Sequence, residues 1–220
     1  EAMACYYASI TELDTLFGSL VDLLEKKGRA EDTVILVCSD HGELLGAHGV
    51  YCKNVMAAEE VYHIPLVWSG PGIAEGRETT ARMGLQDIGP TLLDYLGLDP
   101  LPEADGYSFK SVLGDPEHLE PRMHTGYAEY SGGRIMLTQR VLWDGDWKFV
   151  FNGFDEDELY NLAEDPGELR NRVREPEFAE RYRAMMREVW RRIRESGDGN
   201  LARMEYPGLR IGVVGPHDTE

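Results

Sequence analysis

The sequence has few cysteines, few lysines and no long apolar run, and each shortage excludes a class of protein. Cys5, Cys38 and Cys52 are too few and too widely spaced for a disulfide framework. Cys38 lies within an apolar strand pattern, so we expect it to be a small buried hydrophobic residue. No apolar run approaches the roughly 20 residues that a bilayer crossing requires. Residues 1–10 lack the basic and apolar regions of a secretory signal, and no motif indicates a compartment.

The charge balance excludes another class. Acidic residues number 40 against 22 basic ones, which gives a net charge of −18, and five of the basic residues are lysines. Such a chain has no general electrostatic footprint for nucleic acid. It also repels anions at long range, so a site for an anionic substrate needs concentrated local positive charge. The simplest explanation of the acidity is solubility.

The first hundred residues have the pattern of an open α/β sheet. Apolar residues at alternating spacings of four and three predict an amphipathic helix that ends at Gly28. They are Tyr6, Ile10, Leu13, Phe17, Leu20 and Leu24. Residues 33–38 and 64–68 are apolar on both faces, which predicts two buried, central, parallel strands. A second helix is predicted over residues 87–96. This order of helix, strand, strand and helix is typical of α/β folds.

The pattern changes after about residue 100. Residues 134–143 and 147–151 predict a β-hairpin, and residues 159–162 predict a further short strand. A last amphipathic helix is marked by apolar residues at helical spacing, and its arginines alternate with glutamates, which indicates an ion-paired solvated face. These apolar residues are Phe178, Tyr182, Met185, Val189 and Ile193. We therefore predict an α/β portion over 1–115, a small α+β subdomain over 116–196 and an extended tail over 197–220.

The residues with the clearest chemistry follow the first predicted strand. Asp40 and His41 come directly after its carboxyl end, the edge at which ligands bind in open α/β sheets. Gly42 permits the chain turn that would bring both side chains to one point. A carboxylate and an imidazole that converge in this way can share a divalent cation. The alternative is that Asp40 only caps or braces the loop.

An ordered series of motifs extends this signal well beyond the loop. The series begins with Asp40-His41-Gly42, Gly46-Ala47-His48-Gly49, Lys53, Glu59-Glu60 and Ile64-Pro65-Leu66. It continues through residues 87–93, 105–108, 147–149, 158–162 and 165–171. Taken in this order, the series resembles the sulfatase family of the alkaline-phosphatase superfamily. The resemblance implies part of an alkaline-phosphatase-like sheet flanked by helices, followed by a small α+β C-terminal subdomain with an antiparallel hairpin and a helix. It implies a hydrolase of sulfate esters.

The resemblance also implies roles for individual residues. Asp40 and His41 match metal ligands of the family, which usually bind calcium; manganese and magnesium are the alternatives. Lys53 matches a lysine that contacts the sulfate group, which makes it a candidate catalytic residue. His48 lies in the matching loop and is a second catalytic candidate, which either faces the substrate or supports the groups that face it. The alternative is that His48 only braces the loop.

Two departures from the family pattern lie beside this loop. Ala58 stands where the family commonly has Tyr, and His63 where it often has Arg, which leaves the local packing and any substrate contact there open. Glu59 and Glu60 are expected in a helix that supports the loop.

The nucleophile implied by the resemblance has no match in this sequence. Sulfatases attack with a formylglycine made from Cys or Ser in a Cys/Ser-x-Pro-x-Arg motif, and Ser69-Gly70-Pro71-Gly72 lacks the arginine. We therefore expect the formylglycine upstream, in an N-terminal half that completes the domain. Calcium takes about six to eight oxygen ligands, so two residues form a poor cage. The 220-residue chain alone is expected to be inactive and to bind metal weakly.

Two alternatives stay open at the level of sequence. One is a phosphodiesterase or phosphonate monoester hydrolase of the same superfamily. The other is a non-catalytic sulfatase-like module that binds sulfated glycans or a partner protein, since fold does not imply function. The expected partner is a sulfated small molecule or glycan, without nucleic acid or membrane, and nothing in the sequence separates sugar, aryl and choline sulfates.

Overall fold

A computed structural model describes residues 1–53, 56–132, 138–153, 155–198, 201 and 213–215. The helices are α1 (Ala2–Lys26), α2 (Glu59–Tyr62), α3 (Leu85–Leu96), α4 (Lys110–Gly114) and α5 (Ala179–Glu195). The strands are β1 (Ile35–Cys38), β2 (Leu66–Ser69), β3 (Thr125–Tyr130), β4 (Gln139–Asp144), β5 (Trp147–Asn152) and β6 (Glu158–Asn161). Within these residues, no helix combines the length and apolarity needed to span a bilayer.

The C-terminal unit is an antiparallel sheet covered by one helix. Its strand order is β3-β4-β5-β6, and the predicted hairpin is confirmed by the pairing of Val141 with Val150 across β4 and β5. α5 packs on one face of this sheet, as its apolar spacing predicts. The largest core cluster contains Leu142, Phe149, Phe151, Leu159, Tyr182, Met185, Met186, Val189, Trp190 and Ile193. Strand β3 was not predicted, and residues 134–137 of the predicted hairpin lie outside the described residues.

The predicted tail contributes to this core where it is described. Leu201 and Val214 are buried in the cluster beneath α5, and the Trp190 indole N–H donates to the Val214 carbonyl at 2.8 Å. Most of residues 197–220 lie outside the described residues.

The N-terminal sheet corrects three predictions. β1 and β2 pair antiparallel, with Ile35 opposite Ser69 and Cys38 opposite Leu66, so the parallel arrangement is wrong. Neither strand contains a buried residue, so the predicted buried, central position is also wrong. Cys38 is exposed rather than buried. The physical reason is that apolar residues on both faces of a strand show only that both faces can be buried. The pattern encodes neither the direction of the neighbouring strand nor the presence of a layer that covers the sheet.

α1 confirms the first predicted helix but buries none of its residues. Its apolar face remains open to solvent among the described residues; Ile10, Leu13, Phe17 and Leu20 are all exposed. Gly28, in the left-handed region at φ 61°, follows its last turn.

α3 is held by buried polar groups that also fix the segment after it. Asp87 accepts the Gly84 backbone N–H at 2.8 Å and the Tyr107 backbone N–H at 3.0 Å. Burial raises the pKa of Asp87, and these two hydrogen bonds oppose the rise. Gly106 lies so close to α3 that a Cβ there would sit 2.2 Å from the Gln86 carbonyl oxygen. Residues 105–108 of the motif series are therefore packed directly on α3.

The α5 core makes a first prediction. Met186 is fully buried between α5 and the sheet, so Met186→Ala is expected to lower the free energy of unfolding by about 2–5 kcal/mol through lost contacts and a cavity. Leu169 is 84% exposed and serves as the control, so Leu169→Ala should change the free energy of unfolding by less than about 0.5 kcal/mol. Urea unfolding followed by tryptophan fluorescence measures both, and equal effects would contradict this assignment of the core.

Candidate functional site

The loop after β1 turns immediately, and it holds Asp40 and His41 side by side. The His41 backbone N–H donates to the Asp40 Oδ1 at 3.0 Å, and the Ser39 hydroxyl donates to the His41 carbonyl at 3.2 Å. The second carboxylate oxygen of Asp40 lies 3.5 Å from the His41 Nε2. The Asp40 side chain is 83% exposed, so this oxygen is accessible from the cleft.

Lys53 joins the pair from the far end of the same loop. Its ammonium contacts the Nε2 of His41, twelve residues earlier in the chain. Asp40, His41 and Lys53 all line one cleft. The structure therefore brings the three sequence-predicted groups together, while their chemical roles stay predictions.

Gly42 is the point at which this loop is fixed to the rest of the molecule. Its backbone N–H donates to the Val61 carbonyl in α2 at 2.8 Å. A Cβ on Gly42 would lie 1.9 Å from the Glu60 carbonyl oxygen, so no other residue fits without moving backbone. Leu44 packs on Ala58 and Val61 beside this contact. The small side chain of Ala58 is therefore buried against the loop.

The hydrogen bond of the His41 ring decides which of its nitrogens faces the cleft. Its Nδ1 lies 2.9 Å from the Gly42 carbonyl, so in the neutral tautomer that donates there the unprotonated Nε2 faces both the Asp40 carboxylate and the Lys53 ammonium. A ligating histidine commonly donates its other N–H to a backbone carbonyl in this way. The two side chains thus fit a divalent cation as one imidazole and one carboxylate, although they supply only part of the six to eight ligands of calcium.

His48 lies on the other side of the loop, against α2. Its Nε2 is 3.7 Å from the Glu60 carboxylate, and its side chain is 14% exposed. Atoms of His48, Glu60 and Glu168 lie within 4.8 Å of one another, a spacing that a metal ion could bridge. However, Glu168 is already paired with the Lys148 ammonium at 2.7 Å and accepts the Glu59 backbone N–H at 2.6 Å. These contacts favour the bracing role for His48; contact with substrate stays a prediction.

The cleft has a volume of about 1660 Å³ and lies between the loop and the C-terminal sheet. That exceeds the roughly 300–1,000 Å³ of typical small-molecule pockets, so it is a broad open cleft and not a closed ligand pocket. Its opposite wall includes Tyr127, Glu129, Arg140 and Arg192. Burial raises the pKa of Tyr127, so its phenol stays protonated at neutral pH.

The arginines of this wall already have partners. The Arg140 Nε lies 2.9 Å from the Asp198 carboxylate, and the Arg192 Nε lies 2.9 Å from the Glu188 carboxylate. The contact of Lys53 is instead with the imidazole of His41. Lys53 is therefore better placed than these two arginines to offer its charge to a bound anion.

Sequence reasoning missed the cleft wall and the buried charges behind α2. Glu59 and Glu60 were expected to support the loop, and α2 contains both. The involvement of Lys148 was not predicted, and its only sequence signal is a single lysine between Trp147 and Phe149 in an otherwise apolar strand. His63 is exposed and lies 3.9 Å from the Glu59 carboxylate.

Comparison with known proteins gives the family of this chain. The sulfatase family model matches residues 1–98. The choline-sulfatase of Rhizobium meliloti (strain 1021) is 36% identical over 174 residues, which cover 78% of this chain and 33% of that protein. This chain belongs to the sulfatase family. The family resemblance seen in the ordered motifs is thus confirmed.

A second sulfatase relative shows the same extent of similarity. Arylsulfatase K of Homo sapiens is 32% identical over 177 residues, which cover 76% of this chain and 33% of that protein. The chain therefore spans about a third of the length of these curated relatives.

Solved structures share the fold. BT4656, solved in complex with its substrate D-glucosamine-2-N,6-O-disulfate, superposes with a TM-score of 0.77 at 26% identity, covering 86% of this chain and 40% of that one. The phosphonate monoester hydrolase of Agrobacterium radiobacter superposes with a TM-score of 0.74 at 27% identity, with the same two coverages of 86% and 40%. The predicted fold, an alkaline-phosphatase-like α/β portion followed by a small α+β subdomain, is confirmed.

The contact at Gly42 makes a second prediction. Gly42→Ala places a methyl group against the Glu60 carbonyl, so the loop must leave α2 and the Gly42 amide should lose its protection from hydrogen exchange. Gly18→Ala in α1 is the control, because nothing lies within 4 Å of its added Cβ and alanine stabilises a helix by about 0.5–1 kcal/mol relative to glycine. Retained protection at residue 42 in Gly42→Ala would show that α2 does not fix the loop.

Proposed function

We propose that this chain is part of a sulfatase-like hydrolase that cleaves sulfate esters. The observation that carries the proposal is the convergence of Asp40, His41 and Lys53 on one cleft at the end of β1, in a chain of the sulfatase family. A binding module has no need of all three groups together. The substrate class is a sulfated small molecule or glycan, which the choline-sulfatase relative and the BT4656 complex support.

The local charge explains how an acidic protein can bind an anionic ester. The net charge of −18 opposes the approach of a sulfate ester, but the Lys53 ammonium places a compact positive charge in the cleft. Cleavage of the S–O bond moves negative charge onto the leaving oxygen, so a fixed positive charge stabilises the transition state more than the ground state. A divalent cation held by Asp40 and His41, calcium by family resemblance with manganese or magnesium as alternatives, would polarise the ester oxygens.

The nucleophile is a separate part of the proposal. Family resemblance implies a formylglycine, and no Cys/Ser-x-Pro-x-Arg motif occurs in these 220 residues. The activity is therefore proposed for the protein that supplies both this chain and the nucleophile. The chain by itself is expected to be inactive.

The second candidate is a phosphonate monoester hydrolase of the same superfamily. The superposition on the Agrobacterium radiobacter enzyme supports it, with 27% identity and a TM-score of 0.74. A carboxylate, an imidazole and an ammonium serve a phosphonate ester by the same electrostatics, so this site alone is compatible with either anion. The curated sulfatase relatives, at 36% and 32% identity, favour the sulfate ester.

Paired substrates separate the two candidates. The complete protein, with its nucleophile installed, is expected to hydrolyse aryl sulfates with a higher kcat/KM than aryl phosphates or phenyl phosphonates. Steady-state assays with one aryl leaving group attached to each anion make the comparison independent of the alcohol. A kcat/KM that is higher for the phosphonate would replace the proposed function with the second candidate.

Two substitutions test the site itself. Asp40→Asn and Lys53→Ala in the complete protein should each lower kcat/KM for the preferred ester by about 10²–10³-fold, because each removes a charge directed at the reacting anion or its cation. Lys110→Ala is the control, since Lys110 pairs with Asp94 at 3.1 Å and does not line the cleft. Unchanged turnover in both site variants would contradict the roles proposed for Asp40 and Lys53, whereas a complete wild-type protein without turnover would favour the non-catalytic binding module.

A further inference from the structure

A fully buried ammonium lies behind the candidate site, in the C-terminal sheet. The Lys148 side chain, on β5, is 0% exposed, and its Nζ lies 3.0 Å from the Glu59 Oε1 and 2.7 Å from the Glu168 Oε1. Trp143 on the neighbouring strand faces the same ammonium, which lies 5.4 Å from the centre of a Trp143 ring. Such buried ion pairs contribute little net stability, because desolvation of the charges offsets their attraction. Stability alone therefore does not account for an ammonium buried at this position.

Glu59 connects this ammonium to α2. Its carboxylate accepts the Trp143 indole N–H at 2.7 Å, and its backbone N–H donates to the Glu168 carboxylate at 2.6 Å. Burial raises the pKa of Glu59, but Lys148 and the Trp143 hydrogen bond outweigh it and leave that pKa below its usual value. The first residue of α2 is thus fixed through its side chain and its backbone by three residues of the C-terminal unit.

Glu168 occupies an unusual backbone position to make these contacts. It follows the turn at residues 165–167 with φ at 50°, in the left-handed region that residues with side chains rarely adopt. Its side chain is nevertheless 3% exposed and directed into the cluster. Unfavourable backbone conformations persist where the surrounding structure requires them, often at functional sites.

α2 transmits this anchoring to the loop. Val61 accepts the Gly42 N–H at 2.8 Å, and the Glu60 carbonyl lies where a Gly42 Cβ would be. His41 precedes Gly42 directly and directs its Nδ1 to the Gly42 carbonyl. Any displacement of α2 therefore moves His41.

We propose that Lys148 is a positioning residue. Together with Glu59 and Glu168 it fixes α2, and through Gly42 it holds His41 and its neighbours in position at the cleft. The C-terminal subdomain then sets the geometry of a site whose residues lie in the α/β portion. The consequence for catalysis rests on the proposed function, whereas the mechanical link does not.

Lys148→Met tests the link in the complete protein, because it keeps an unbranched side chain of nearly the same length and removes the charge. The amide of Gly42 is expected to exchange about tenfold faster or more. Calcium titrated by calorimetry should bind more weakly, and kcat should fall by about 10–100-fold with a smaller change in KM, since misplaced groups fail mainly in the transition state.

Met186→Ala is the matched control for lost stability. Met186 is buried in the same subdomain but outside the Lys148 cluster, so its variant should lower the unfolding midpoint and leave Gly42 exchange and calcium affinity as in the wild type. A Lys148→Met protein that behaves like this control, with lower stability alone, overturns the positioning role.

Trp143→Phe provides a milder variant if Lys148→Met does not fold. It removes the indole donor to Glu59 and reduces the ring that packs on Tyr62, but it keeps the Lys148 ammonium, so Gly42 exchange should rise by less than in Lys148→Met but above that of the control. Exchange at the wild-type rate in Trp143→Phe would count against the proposal. Failure of the proposed function has a different signature: the wild-type protein would hydrolyse no ester, and the exchange measurements would still decide the role of Lys148.

Discussion

The candidate site depends on one close backbone contact, between Gly42 and α2. There is no room for a Cβ between them, and a hydrogen bond from Gly42 to Val61 fixes their separation. A loop is otherwise the most mobile kind of element on which to place the residues of a site. Fixing the loop one residue after His41 restricts its ring to a narrow range of positions, and the Gly42 carbonyl then orients the imidazole.

The electrostatics of the molecule act at two scales. At long range the acidic surface repels anions, and salt at physiological concentration screens that repulsion over about 8 Å. Inside the cleft, individual groups decide the outcome, because Lys53 is directed to His41 while Arg140 and Arg192 are paired with carboxylates. A sulfatase-family protein can therefore carry a net charge of −18 and still offer an anion site.

The two parts of the chain are connected by charge as well as by apolar packing. Lys148 and Trp143 belong to the C-terminal sheet, yet their partner Glu59 begins the helix that supports the loop of Asp40 and His41. Replacing Lys148 or Trp143 with an apolar residue of the same volume would not preserve this link, because the ion pair and the hydrogen bond to Glu59 are directional. The small subdomain is thus part of the scaffold of the site and also one wall of its cleft.

The sequence by itself determined the family, most of the helices and strands, and the three side chains that meet at the loop, because these depend on local spacing and on an ordered series of motifs. Asp40 and His41 were found from their position after a strand, and Lys53 from its place in the motif series. The antiparallel pairing of β1 with β2, the exposure of Cys38, strand β3 and the burial of Lys148 were decided only by the tertiary structure. Strand direction and the partner of a buried charge depend on residues far apart in the chain, here Glu59 with Lys148 and Glu168, and no local pattern encodes which distant group will be there.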